Sequence, residues 1–563
     1  MLRKQFIAAS LSVFLVLPAH AQQQPAPPSY GETLEVRVVN LDVVVNDRDG
    51  NPVTGLTRDD FEVFENGKRK EITNFLEIDD RAAEGAKPAA APRPDHLTLV
   101  LFVDNTTLHP FNRNRVLTAM RGFVEKTMRT GDMATVVTWN PGIKQDVEMT
   151  GDRAKVLATL DTLEKKTGRG SMLDIEKEQT RDALRQMTVD FQLQPHEGRS
   201  FSTGDAPSPL EKPPYGPALG VVTHFADSLL NVTQQKGDAF RNVIAGVRGV
   251  EGRKALIFLT ESFSMDPARQ MFEFLDSVKS EFKDGITQNP RGEIMHYGDD
   301  AILASVTAAA NAAGVTLYPI AATGMSGGID VPSVTENTMS NSAQMKSPGG
   351  NPDQALNELA SATGGLAVTG TNDFLRGFNR IANDLTAYYS IGYRGDAPSK
   401  DAVRSQTVKV KKPGLVVRNR EMFMQKTPKT EVAEALSANM FAISKNNGMG
   451  ITVTAGARTA TGDDRISMPI DVTIPITALT LLPQGTELAG KFIVYTGFTR
   501  ADGTTSPVKK SEYPIHFAAE SLKRRESVTV RITVTMDKAT ETVSVGVVDQ
   551  TSNATGFGMV KVL

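Results

Sequence analysis

Between residues 96 and 395 the apolar positions fall into short runs, separated by longer stretches with helical spacing. The runs at 97–103, 133–139, 143–149, 254–260, 315–320, 365–369 and 387–393 predict strands. Stretches at about 111–129, 152–165, 172–192, 219–247, 265–283, 299–313, 353–363 and 372–385 predict helices. This alternation predicts an α/β domain over 96–395: a doubly wound, mostly parallel sheet with helices on both faces. One strand should run backwards. Trp139-Asn140-Pro141-Gly142 is too short for a crossover helix, so 133–139 and 143–149 must pair antiparallel.

On either side the period shortens to that of strands. Residues 31–79 carry Val36, Val38, Leu41, Val43 and Val45, then Phe61, Val63 and Phe64 ahead of an Asn66-Gly67 hairpin signal. They predict a small N-terminal β module. Residues 396–429 read as closing strands and a linker, and 430–563 as a C-terminal immunoglobulin-like β-sandwich. Pro-rich linkers are expected at 22–30 and 80–95. An insertion at about 172–247 contains a Pro/Gly/Ser-rich loop at 196–218, and a second long loop covers 324–351.

The first 21 residues predict a secretory signal peptide. Arg3 and Lys4 precede an apolar stretch from Phe6 to Leu17 and an Ala19-His20-Ala21 cleavage site. No later run suggests a membrane span. A formal net charge of −3 gives no basic face for nucleic acid. The chain has 0 cysteines, which excludes disulfides, thiol catalysis and zinc–thiolate sites. A secreted or periplasmic bacterial address fits these features.

The chemistry of interest lies where strand 97–103 ends. Ligands of open α/β sheets bind beyond the carboxyl ends of the strands. Asp104, Thr106 and Thr107 stand there, and oxygen donors of this kind suit a divalent cation such as Mg²⁺. The alternative is that Asp104 and Thr106 cap the following helix or bond loop amides, with Leu108 covering the top of the sheet.

Several segments together carry a family resemblance. They are Val43-Val44-Val45-Asn46-Asp47 with Gly50, Val53-Thr54-Gly55-Leu56-Thr57 and Asp60-Phe61-Glu62-Val63. Val103-Asp104-Asn105-Thr106, Ala255 through Glu261, Tyr388 through Tyr393, Val408-Lys409-Val410 and Val417-Arg418 complete the set. On these, the central segment resembles a von Willebrand factor type A domain, and residues 31–425 resemble the acidobacterial VWFA-related family. The resemblance implies a metal-ion-dependent adhesion site at the upper rim of the sheet, holding Mg²⁺ (or Mn²⁺ or Ca²⁺), and cation-assisted binding of another protein. The family pattern is Asp-x-Ser-x-Ser, a Thr from a later loop and an Asp after the fourth strand. The implied ligands are Asp104, Thr106, Ser171 and Glu261. The site is degenerate, because Leu108 replaces the second Ser and Glu261 the expected Asp.

Other motifs point elsewhere less strongly. Gly324-Met325-Ser326-Gly327-Gly328 matches a nucleophile elbow, but Ala321-Ala322-Thr323 separate it from the strand and no helix start follows. His516 is the downstream base, in another domain. Asp47-Arg48-Asp49-Gly50-Asn51 reads as a β-turn. The mature histidines have no zinc-hydrolase spacing, and His109 reads as a rim residue beside Asp104. The expected function is protein binding at a rim formed by 104–109, 168–172, 261–264 and 324–350, without catalysis. An envelope hydrolase with an undetected site and a purely structural envelope component are the alternatives.

Overall fold

The computed structural model describes residues 37–81, 96–193, 212–325, 352–427 and 447–562, with short breaks, and a few positions between 430 and 436. The expected signal peptide, the first linker, most of the second linker and 326–351 lie outside the described residues. Among the described residues no helix is long and apolar enough to cross a membrane.

The chain opens with β1 (Arg37–Asn46), β2 (Phe61–Glu65), β3 (Lys68–Lys70) and β4 (Ile72–Asp79). The α/β region follows with β5 (Leu97–Asp104), α1 (Pro110–Thr127), β6 (Met133–Trp139), β7 (Ile143–Thr150) and α2 (Arg153–Glu164). Next come α3 (Gly170–Leu193), α4 (Tyr215–Val247), β8 (Arg253–Thr260), α5 (Arg269–Val278), α6 (Asp300–Ala313), β9 (Val315–Ala321), α7 (Pro352–Ala362) and α8 (Phe374–Thr386). Four strands close this half: β10 (Ala387–Gly395), β11 (Ala402–Val410), β12 (Val416–Asn419) and β13 (Met422–Gln425).

The central sheet has the order β7-β6-β5-β8-β9. β5 pairs parallel with β6 and β8, β8 pairs parallel with β9, and β7 alone runs antiparallel, as the short turn after Trp139 requires. Every residue of β5 is buried, because its two faces feed two cores. Leu99, Leu101 and Val103 pack with residues of α1, α2 and α8. Val100 and Phe102 pack with residues of α4, α6 and α7 on the other side. Each such fully buried side chain contributes about 1.5–3 kcal/mol, so β5 is firmly anchored on both faces beneath the groups at its end.

Two expectations need correction. Residues 365–369 contribute to the central sheet only an isolated parallel bridge, Ile320 to Val368. Strand 387–393 is not in the central sheet at all. β10 lies between β1 and β4 in a sheet ordered β12-β1-β10-β4. The reason is its alternation: Tyr389, Ile391 and Tyr393 join Leu41, Val43, Val45, Phe61 and Val63 in one core. The Tyr389 hydroxyl donates to Val53 O (2.9 Å) and accepts from Leu56 N–H (3.1 Å). β2 pairs with β11, so the opening and closing strands fold together as one unit. Asp47 forms the expected turn, its Oδ1 accepting from Asn51 N–H (2.8 Å), with Gly50 at φ 85°.

The helices α3 and α5 and the first half of α4 share a separate core, with Leu184, Tyr215, Val222, Phe225, Phe272 and Leu275. α4 leaves this core and enters the sheet core through Ala239, Phe240, Ile244 and Val247. Among the described residues, the C-terminal region is antiparallel sheet. It comprises β14 (Thr452–Ala455), β15 (Thr459–Ala460), β16 (Arg465–Pro475), β17 (Leu482–Gln484), β18 (Glu487–Arg500), β19 (Lys509–Ala518), β20 (Ser527–Asp537), β21 (Thr540–Asp549) and β22 (Thr555–Lys561). Residues of two sheets, among them Ile470, Val472, Phe492 and Val545, meet in one core.

Candidate functional site

Asp104 ends β5 and is wholly buried. The chain then turns, Asn105 N–H donating to Trp139 O (2.8 Å), and α1 begins at Pro110 with fixed φ suited to a first helical position. The carboxylate collects donors on both oxygens. Oδ1 accepts from Thr106 N–H (3.2 Å) and Thr106 Oγ1 (2.5 Å). Oδ2 accepts from Thr107 Oγ1 (3.1 Å), Thr260 Oγ1 (3.1 Å) and Lys236 Nζ (2.6 Å). Thr107 and Thr260 also lie 3.0 Å apart. Their two protons are shared among these contacts, so at most two of the three are made at any moment.

Lys236 reaches this point from α4. It lies one helical turn before Phe240, which stacks on Phe102 at 4.4 Å, so both project from the face turned to the sheet. Its ammonium also sits 5.7 Å from the centre of the Phe263 ring, within cation–π range. The Lys236 and Asp104 side chains are 6% and 0% exposed.

This arrangement does not fit the divalent cation that the sequence resemblance implies. A carboxylate offers about four lone-pair positions, and those of Asp104 are met by groups of Lys236, Thr106, Thr107 and Thr260. A cation already touches Oδ2. Among the described residues no cluster of three or more His, Asp or Glu side chains is placed to hold a metal.

The four sequence-predicted ligands divide. Asp104 and Thr106 are together. Glu261 stands at the same end of the sheet but serves the β5–α1 turn. Its Oε1 accepts from His109 N–H (2.8 Å) and its Oε2 lies 2.6 Å from His109 Nδ1. Ser171 is exposed on the first turn of α3. Leu108 points away from the cluster into the core shared with Leu101 and Val103, and Thr107 supplies the second hydroxyl one position earlier.

His109 also bridges outward, its Nε2 lying 2.9 Å from Asp174 Oδ2 on α3. Burial alone would lower its pKa, but hydrogen bonds and charge from Glu261 and Asp174 outweigh burial and raise it above the usual imidazole value. The 168–170 loop is held close by backbone contact. Arg169 N–H donates to Asn105 O (3.0 Å) and Gly170 N–H to Leu108 O (3.2 Å). A Cβ at Gly170 would lie 2.6 Å from Thr107 O, and at Gly168 2.4 Å from Leu108 O, so only glycine allows this approach. Buried Arg113 secures the same turn from below, donating to Asn105 Oδ1 (2.9 Å) and Lys166 O (2.5 Å).

Sequence reasoning missed Lys236, Thr260 and Asp174 as members of the site. Thr107 and Thr260 had a signal in their nearness to Asp104 and Glu261. For Lys236 the signal was a lysine on the apolar face of a helix, which names no partner. Of the nucleophile-elbow residues, Gly324 is described and Ser326 lies outside the described residues. His516 sits on β19, 3.8 Å from Glu487.

No family model matches this chain, and no curated protein does. Among solved structures it is similar to the conserved hypothetical protein BatB from Bacteroides thetaiotaomicron, at 12% identity and TM-score 0.22 over 51% of this chain and 97% of that one. An aerotolerance-related membrane protein from Bacteroides fragilis gives 10% identity and TM-score 0.22 over 51% and 98%. The manganese-loaded TRAP protein of Plasmodium vivax gives 8% identity and TM-score 0.20 over 62% and 96%. At such scores the likeness does not bear on function.

Proposed function

We propose that the chain is a secreted or periplasmic protein-binding module, a von Willebrand A-like domain flanked by β modules, the C-terminal one immunoglobulin-like. It docks a partner protein at the upper rim of the central sheet, without a divalent cation and without catalysis. The observation that carries this reading is a run of exposed apolar side chains around that rim. Phe111 is 73% exposed, and Met172, Ile175, Met325 and Leu375 are each more than half exposed. They are linked through contacts. His109 joins Asp174, between Met172 and Ile175, to the start of α1. Arg115 lies over the rings of Phe111 and Phe374, and Asn372 bonds both Arg115 and Met325 N–H. Apolar patches rimmed by polar groups mark interaction surfaces.

The partner implied is a protein presenting apolar side chains to Phe111 and Met172. A photo-crosslinker placed at Phe111, with envelope extract as the source of partners, tests this. One discrete protein should be captured. It should be lost on Met172→Asp and retained on Leu482→Asp, a control at an exposed position of the C-terminal sheet. Equal capture by both variants contradicts the reading. Turnover of a hydrolase substrate panel would favour the enzymatic alternative. Unchanged envelope integrity and unchanged capture in the rim variant would favour a structural role elsewhere in the chain.

A further inference from the structure

We propose that Lys236 is a resident cation: its ammonium takes the place that a divalent metal would take against Asp104, tethered through α4 so that it cannot dissociate. The surrounding donors are those of a hard-cation site. One buried carboxylate and the hydroxyls of Thr106, Thr107 and Thr260 converge from β5, the β5–α1 turn and the end of β8. Mg²⁺ is commonly held by one or two carboxylates with several waters retained, a Ser or Thr hydroxyl can join that shell, and Mn²⁺ accepts the same all-oxygen geometry. Lys236 Nζ, 2.6 Å from Asp104 Oδ2 and nearly inaccessible, stands where the ion's first bond would be.

The helix makes this substitution specific. α4 belongs to the helical core at its start and to the sheet core at its end, and Lys236 falls at the crossing between them. A single residue thereby supplies the positive charge and pins the helical layer to the sheet. Two consequences follow. Chelators cannot empty the site, and a partner's carboxylate finds no open coordination position at Asp104. This deepens the proposed protein-binding role, resting on it only for the expectation that docking survives chelation.

The test is a titration of metal-free, full-length mature protein with MnCl₂, followed by calorimetry and by loss of the free Mn²⁺ electron paramagnetic resonance signal. Wild type, Asp104→Asn, Lys236→Ala and the Asp104→Asn/Lys236→Ala pair are compared. Wild type should show no Asp104-dependent binding. Lys236→Ala should gain one Mn²⁺ per chain and lose it again in the double variant. Asp104-dependent binding by wild type overturns the proposal. So does a folded Lys236→Ala chain that binds no Mn²⁺, which would make the pair an ordinary buried salt bridge. If Lys236→Ala does not fold alone, MnCl₂ should restore its folding, followed by circular dichroism, through Asp104; no such rescue overturns the proposal. No arm reads partner docking, so failure of the protein-binding reading would leave these results unchanged.

Discussion

Lys236 Nζ lies 2.6 Å from Asp104 Oδ2 across 132 residues of chain, with neither side chain more than 6% exposed. Removing one partner of a buried ion pair leaves the other charged and desolvated, at a cost of about 3–5 kcal/mol. Lys236→Met should therefore destabilise the protein by that order in chemical denaturation. Asp104→Asn combined with Lys236→Met should recover much of the loss, since no uncompensated charge then remains.

The 168–170 loop gives a steric prediction. Gly170→Ala and Gly168→Ala would each drive a Cβ into a backbone carbonyl that has no room to yield. Each should cost about 1–3 kcal/mol, the usual range for overpacking. Gly220→Ala, on an exposed face of α4 with nothing within 4 Å, should instead gain up to about 1 kcal/mol from helix propensity. Urea denaturation of the three variants checks the contrast.

The Glu261–His109–Asp174 chain makes stability depend on pH. The folded-state pKa of His109 is raised by its two carboxylate neighbours. A raised pKa means that the folded state holds the proton more tightly. This contribution is fully present below the ordinary imidazole value of about 6.5 and is lost as pH rises through the higher folded value. Histidine ring resonances followed by nuclear magnetic resonance should place His109 above that ordinary value. His109→Gln should flatten the corresponding part of the stability profile.

The apolar rim should separate binding from folding. Phe111→Ser and Ile175→Ser alter exposed side chains, so stability should stay within about 0.5 kcal/mol of wild type. Partner capture should fall by an order of magnitude or more if Phe111 is an anchoring aromatic. Capture should be equal in excess EDTA and in excess Mg²⁺, measured by surface plasmon resonance against the captured protein.

The sequence made the central sheet legible because strands buried on both faces leave unbroken apolar runs, as at Leu97–Asp104, and because the turn at Trp139 was too short for a helix. It did not reveal that Tyr389 and Ile391 pack against Val43 and Phe61. Alternation marks a strand with one apolar face but does not name the strands it pairs with, and pairing across more than 300 residues leaves no local mark. At the site, the strand pattern placed Asp104 and Thr106 at the right end of the sheet, and the family resemblance added Glu261 to them. Ser171 is exposed in the first turn of α3 and makes no hydrogen bond to Asp104, whose partners are Thr106, Thr107, Lys236 and Thr260. Lys236 was illegible for a different reason. Its meaning comes from where a 33-residue helix crosses between two cores, and no spacing within the sequence encodes that crossing.

The measurement that bears most directly on the account is diffraction from a crystal soaked in MnCl₂, with data collected at the manganese edge. The account predicts density joining the Lys236 ammonium to Asp104 Oδ2 and no anomalous peak at that carboxylate. A manganese peak bonded to Asp104, with Lys236 turned aside, would contradict it.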